Sequence, residues 1–316
     1  MIVAMVLGLY ALFGAVALPR LLSRGDRAER APRLAIAMWH AACASVLTSA
    51  VLAVLAAAIP ASVVGHGIAD LFEACAALLS HGVSVTPTEV VIVAASAGLV
   101  GGRLAYCAAA VLLRTRRERR EHAEMLCLLG KHDSALGAVV LDHAEPIAYC
   151  LPGGEGRTVI TTGALRSLPP EELAAVLAHE RAHLRGRHDL VVAAGEILAR
   201  AFPGVPLFRR ARTEVARLIE LRADDVAARR HARIHVAGAL VRIATGRVPA
   251  FSLGMGGETA LTRVRRMLGP ENPLTRHERF ATVAAVGLLL TGPAAVALIP
   301  GVSAFLAHHC HELLSL

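Results

Sequence analysis

Aromatic side chains are scarce in this sequence and lysine is all but absent. Of 316 residues, 3% are aromatic, with a single Trp, and Lys131 is the only lysine. Charged residues make up 18% and hydrophobic ones 55%, against roughly 25% and 45–50% in ordinary globular chains. No Cys-x-x-Cys pair occurs, and the six cysteines are scattered along the chain. That excludes zinc ribbons, thioredoxin-like chemistry and a disulfide-rich secreted scaffold. A mean hydropathy of +0.55 is too apolar for a disordered chain. The net charge of +8 rules out an acidic-tail protein and is carried almost wholly by arginine. The length allows two soluble domains, or one domain plus membrane spans, and the composition favours the second.

What the chain has instead is long apolar runs. Residues 2–18 and 280–300 carry no charge, 34–60 carry only His40, and 90–113 carry only Arg103. Runs of about 20 apolar residues match the thickness of a bilayer, so four transmembrane helices are expected. The charges of the first run follow its apolar stretch, so it reads as a span and not as a signal peptide. Loop 19–33 holds Arg20, Arg24, Arg27, Arg30 and Arg33, and Arg114, Arg116, Arg117, Arg119 and Arg120 follow the third run. Loop 61–89 holds no Lys or Arg. The positive-inside rule then places 19–33 and 114–279 in the cytoplasm, and both termini and loop 61–89 outside. In that outer loop Ile68, Leu71, Phe72, Cys75, Leu78 and Leu79 fit one face of a helix lying on the membrane. Arg103 either snorkels or faces another helix.

Three parts follow: 1–113 with three spans, a domain at 114–279, and 280–316 with the fourth span and a short tail. The expected fold class is an α-helical integral membrane protein carrying a mainly α (α+β) domain. Segment 114–130 continues the third span as a helix. Strand-like runs at 137–142, 147–151 and 158–162, separated by turn residues, read as a small antiparallel sheet. A helix begins near Ser167, a candidate cap, with Pro169 and Pro170 in its first turn and Glu171 and Glu172 complementing its dipole.

That helix contains His179-Glu180-Arg181-Ala182-His183, an H-E-x-x-H motif. Histidines at i and i+4 share one face and can both bind one Zn²⁺, while Glu180 stands beside the metal as general base. Zinc would polarise a peptide carbonyl and acidify water. The run Glu220-Leu221-Arg222-Ala223-Asp224 supplies Glu220 as third ligand on a second helix. Asp224, one turn on, can accept a hydrogen bond from a ligating histidine. One Zn²⁺ per chain is expected. His188 lies nine residues beyond His179, which points it to the opposite face as a surface residue.

H-E-R-A-H at 179–183 with E-L-R-A-D at 220–224 resembles the gluzincin-type membrane metallopeptidases with a zincin-like domain, above all the BlaR/MecR antirepressor peptidases. HtpX- and CAAX-protease-type peptidases are more distant likenesses. The resemblance covers most of the chain: three spans, a cytoplasmic zinc site, and a fourth span. It implies that Ala148, Tyr149 and Cys150 lie on a strand that binds substrate backbone by β-addition, an ordinary sheet strand being the other reading. It also implies that Arg263 stands near the active site, with a solvated or headgroup-facing arginine as the alternative. The implied activity is a zinc endopeptidase cutting a cytoplasmic protein, a BlaI-like transcriptional repressor, in regulated proteolysis. A housekeeping HtpX-like protease is the alternative, and a signalling protein with a structural zinc site a third; the third has no need of Glu180 as a base. The sequence departs from the BlaR/MecR pattern where it ends at Leu316, so no penicillin-sensing domain is expected.

Residues 190–208 are apolar but hold Glu196, Arg200, Pro203 and Pro206. A fifth span there would separate the histidines from Glu220, so a hairpin dipping into the inner leaflet is expected. His308, His309, Cys310 and His311 either bind a metal outside or are incidental. Cys75 and Cys310 could pair, and Cys127 and Cys150 should be reduced. The basic clusters suit an anionic lipid bilayer as partner. No motif for direct nucleic-acid binding is present, and a homodimer is left open.

Overall fold

The structure is a computed structural model in which residues 2–58, 87–153, 156–246 and 256–314 are described. Helices come first: α1 (Ile2–Leu22), the single turn α2 (Arg27–Arg30), α3 (Pro32–Ala58) and α4 (Pro87–Leu129). Strands β1 (Gly130–Asp133), β2 (Ala138–Leu141), β3 (Ala148–Leu151) and β4 (Arg157–Thr161) follow. The remaining elements are α5 (Thr162–Ser167), α6 (Pro170–Arg185), α7 (His188–Ala201), α8 (Pro206–Ala228), α9 (Arg233–Gly246), α10 (Gly256–Leu268) and α11 (Arg276–Leu314).

Among the described residues four helices are long and apolar enough to cross a membrane: Ile2–Leu22, Pro32–Ala57, Ala94–Leu129 and Arg276–Leu298. They turn large apolar side chains outward, with Phe13 69%, Tyr106 74% and Phe280 77% exposed. A soluble helix would hide this face, whereas lipid solvates it. This is a multi-pass membrane protein. No break falls at 113/114: α4 runs 43 residues, because nothing after Leu113 stops a helix before Gly130. Its polar end is laced by Arg114–Glu118 and Arg117–Glu121 pairs at i,i+4. α1 and α3 approach closely at Gly14, where a Cβ would stand 2.9 Å from Val46 Cγ2.

The sheet has order β1-β2-β4-β3. Its outer pairs are antiparallel, but β2 and β4 run parallel, with Val139 opposite Val159 and Val140 opposite Ile160. The sheet is therefore mixed and not wholly antiparallel. Its first strand, Gly-Lys-His-Asp, escapes sequence reading because it is half exposed and lacks β-branched residues. Ser167 does not cap α6; its hydroxyl donates to the Gly163 carbonyl inside α5, and Pro169 holds the capping position without a side-chain bond.

Two cores position the rest. Trp39, Ala42, Cys43 and Val46 of α3 pack against Leu207, Phe208, Ala211 and Val215 of α8. Ile160 and Ala138 of the sheet pack against Val176 and Leu177 of α6. α7 and α8 form a hairpin whose turn is level with apolar segments of the spans: Arg103 donates to the carbonyls of Ala201 and Arg200. Arg103 thus faces another helix end and satisfies acceptors that α7 leaves unpaired. The outer-loop residues Ile68 to Leu79, with Cys75, lie outside the described residues, as do the side chains of the His308–His311 cluster.

Candidate metal centre

Small side chains bring two helices close enough to share a site. Ala175, Ala178 and Ala182 recur along α6, and Ala223 and Ala227 along α8; all are buried. A seam of alanines permits close backbone approach, and residues beside it project toward one another. Those residues are His179 and His183 on α6, and Glu220 and Asp224 on α8.

His179 Nε2 and His183 Nε2 lie 3.1 Å apart. Glu220 reaches both, with Oε2 3.5 Å from His179 Nε2 and Oε1 3.5 Å from His183 Nε2. One ligand atom from each of the three residues falls within 4.8 Å of the others, the geometry of a group that could hold a metal ion. Two imidazole nitrogens and a carboxylate oxygen are the donor set of a three-ligand zinc site with an open fourth position. His179 Nδ1 donates to Asp224 Oδ1 at 3.0 Å, which in the neutral ring leaves Nε2 with the lone pair a metal would use.

Asp224 is fully buried, and Arg263 of α10 balances it. Arg263 donates from Nε to Asp224 Oδ2 at 2.8 Å and from Nη2 to Oδ1 at 2.7 Å, and its Nη1 lies 3.0 Å from Glu220 Oε2. One guanidinium therefore braces both carboxylates through a bidentate fork and a single bond. This overturns the solvated reading of Arg263.

His188 is not a surface residue. It is 7% exposed, and its Nδ1 lies 3.1 Å from His183 Nδ1. Helical extrapolation fails because α6 ends at Arg185 and Arg187 adopts φ 46°, a left-handed break that swings His188 back toward the site. Gly186 makes room: a Cβ there would stand 2.4 Å from His188 Nε2. The signal in the sequence was Gly186, a common helix terminator three residues past the motif.

Burial and charge divide the titrating groups. Burial alone would lower His179, but Asp224 and Glu220 outweigh it and lift the ring to about 9. Burial lowers His183 to about 4. Burial would raise Glu220 and Asp224, yet His179 and Arg263 hold each at about 2. Glu180 stays above the usual carboxylate range because burial dominates. Cys150 on β3 hydrogen-bonds Glu180, and burial first, then that carboxylate, pushes its thiol to about 12. β3 is an edge strand of the sheet. Tyr149 on it is bonded through its hydroxyl to His122 Nε2 of α4 at 2.7 Å, and Ala148 pairs with Ile160 of β4. The edge thus passes beside Glu180.

Residues 113–203 match Peptidase family M48, whose members are zinc-dependent metallopeptidases. The matched stretch takes in the polar end of α4, the sheet, α6 and α7, and so includes His179, Glu180 and His183; Glu220, Asp224 and Arg263 lie beyond it. No solved structure matches the chain.

Proposed function

We propose that this multi-pass membrane protein with a metallopeptidase domain is a zinc endopeptidase of the BlaR/MecR type. It cleaves a cytoplasmic protein, a BlaI-like transcriptional repressor. The observation that carries the reading is the convergence of His179, His183 and Glu220 beside a partly buried Glu180. His179, His183 and Glu220 would hold the zinc ion, and the donor set fits it. When bound, zinc acts as a Lewis acid toward a peptide carbonyl and toward water.

The chain's own groups would do the rest. Glu180 accepts a proton from the attacking water and passes it to the leaving amine; a carboxyl raised by burial suits both halves of that transfer. Asp224 keeps His179 in the tautomer that presents Nε2, and Arg263 keeps Glu220 from turning away. The free side of β3, at Ala148, Tyr149 and Cys150, would take an extended substrate segment as an added strand. The arginines of 19–33 and 114–120, against none in 61–89, support a cytoplasmic domain with both termini outside.

A second reading, protein quality control in the membrane, draws on the packing of α8 against α3, which holds the site close to the apolar helices. The two separate by substrate. The purified chain with zinc should cut a BlaI-like repressor at a defined bond, and Glu180→Gln should keep its zinc while losing roughly 10²–10⁴-fold in rate. A Glu180→Gln enzyme that still cuts ends the mechanism. Indifference to the repressor alongside cleavage of misfolded membrane proteins transfers the assignment to the second reading.

A further inference from the structure

Beyond the metal centre, a cavity of about 710 Å³ opens where α2, the end of α8, the start of α9 and the end of α10 meet the 269–273 connection. Five arginines line it: Arg30, Arg229, Arg233, Arg265 and Arg266. Three are committed. Arg30 pairs with Glu278 at 3.0 Å and donates to the carbonyls of Asn272 and Pro273. Arg233 takes the α10 terminal carbonyls of Arg266, Met267 and Gly269 and pairs with Glu271. Arg266 pairs with Asp225 at 2.7 Å and donates to the Glu29 carbonyl. Arg229 and Arg265 are exposed and their side chains make no close hydrogen bond or ion pair among the described residues, Arg229 acting on Asp225 only as a longer-range charge.

The charge balance selects the ligand. Of the lining carboxylates, Asp225 and Glu271 are matched within the cavity and Glu29 by Arg217 at 2.9 Å. Asp26 is left, against Arg229 and Arg265. One net positive charge with two forked donor groups fits a phosphodiester, which carries one negative charge, better than a monoester at about −1.5 to −2. Position selects its source. Arg30 and Asp26 belong to the short link between spans α1 and α3, and residues 269–273 lead directly into span α11. The cavity therefore lies at the level where three spans leave the apolar layer, the depth of lipid phosphates.

We infer that this cavity binds the phosphodiester of an anionic membrane phospholipid, with Arg229 and Arg265 closing on its oxygens. The bound headgroup ties α8, α9 and α10 to the spans. The inference stands independently of the peptidase reading, since none of the metal-centre residues takes part.

The test uses the full-length protein in phosphatidylcholine nanodiscs doped with phosphatidylglycerol, with bound lipid counted by native mass spectrometry. Arg229→Ala with Arg265→Ala should lower phosphatidylglycerol retention about tenfold or more, as expected for losing two charge-assisted contacts. The Arg229→Lys/Arg265→Lys pair should restore most of it, which separates lost charge from lost fold. The exposed pair Lys131→Ala/Arg166→Ala, on β1 and α5, should leave retention unchanged. Equal loss from that pair would mean diffuse surface attraction and overturn the site, as would undiminished retention in the Arg229/Arg265 variant. A second arm adds glycerophosphoglycerol or inorganic phosphate to the detergent-solubilised protein. Thermal stabilisation by these, dependent on Arg229 and Arg265 and without lipid retention, keeps the phosphate site and reassigns its source to a soluble ligand.

Discussion

Asp224 has no exposed surface, so its charge exists only because Arg263 and His179 face it. Asp224→Asn should cost about 3 kcal/mol, the loss expected when a buried ion pair is left one-sided, read as the shift in denaturant unfolding of the detergent-solubilised protein. The titrating groups also set how metal uptake depends on pH. At pH 7 the metal-free site has His179 protonated, at about 9, and His183 neutral, at about 4. Glu220 and Asp224 are ionised throughout that range. Zinc needs neutral imidazoles, so one proton leaves with each ion bound, and apparent affinity should fall about tenfold for each pH unit below 9. Competition titrations showing no slope, or a slope of two protons, would contradict the arrangement. In the metal-free protein, His179 adds stability that is full below its unfolded value of 6.5 and lost as pH rises through 9. The two carboxylates add stability present above 4.5 and lost as pH falls toward 2. His188 acts on His183 through the Nδ1 contact. His188→Ala should weaken zinc binding by roughly 10–100-fold, and Gly186→Ala should do the same by pushing the ring aside.

The seam between α6 and α8 matters at the scale of elements. His179 and Glu220 meet only because alanines separate the helices. Ala178→Leu should cost about 1–3 kcal/mol by overpacking and also weaken zinc binding, whereas the same change at an exposed helix position should do neither. α7 is fastened to α4 at both ends. Arg119 pairs with Asp189 at 3.0 Å near its start, and Arg103 takes the Ala201 and Arg200 carbonyls at its end. Arg103→Ala leaves those carbonyls without their partner, and a loss of about 1–2 kcal/mol is expected in the same unfolding assay. The apolar runs and the H-E-x-x-H helix were legible in the sequence because each is a local pattern of length or period. β1, the parallel β2–β4 pair and the turn at Arg187 were not. Strand order and a single left-handed residue depend on what packs around them, and no periodicity records that.

For the whole molecule, the metal centre and the spans form one packed body, since α8 carries Glu220 and Asp224 at one end and packs on α3 at the other. Metal binding and membrane packing should therefore be coupled. Removing zinc with a chelator should lower Tm, and adding it back should restore Tm in a concentration-dependent way. The Arg103 contact gives the depth. Arg103 is eleven residues before Arg114, about 16 Å along the α4 axis, so the tip of the α7–α8 hairpin is well inside the apolar stretch. Glu196 pairs with both Arg200 and Arg212 within the hairpin, which suits charges held near lipid.

The sequence by itself determined the four apolar helices, the arginine asymmetry about them, and the spacing of His179, Glu180 and His183, because each follows from composition or period within one segment. It also named Glu220 and Asp224, since a carboxylate pair one turn apart needs only helical geometry. Only the tertiary structure decided that Arg263 braces both carboxylates, that His188 turns inward behind His183, and that Cys150 rests on Glu180. These contacts join α8 to α10, and α6 to α7 and β3. They depend on how closely alanine-lined helices approach and on where a helix breaks, and both are settled by packing.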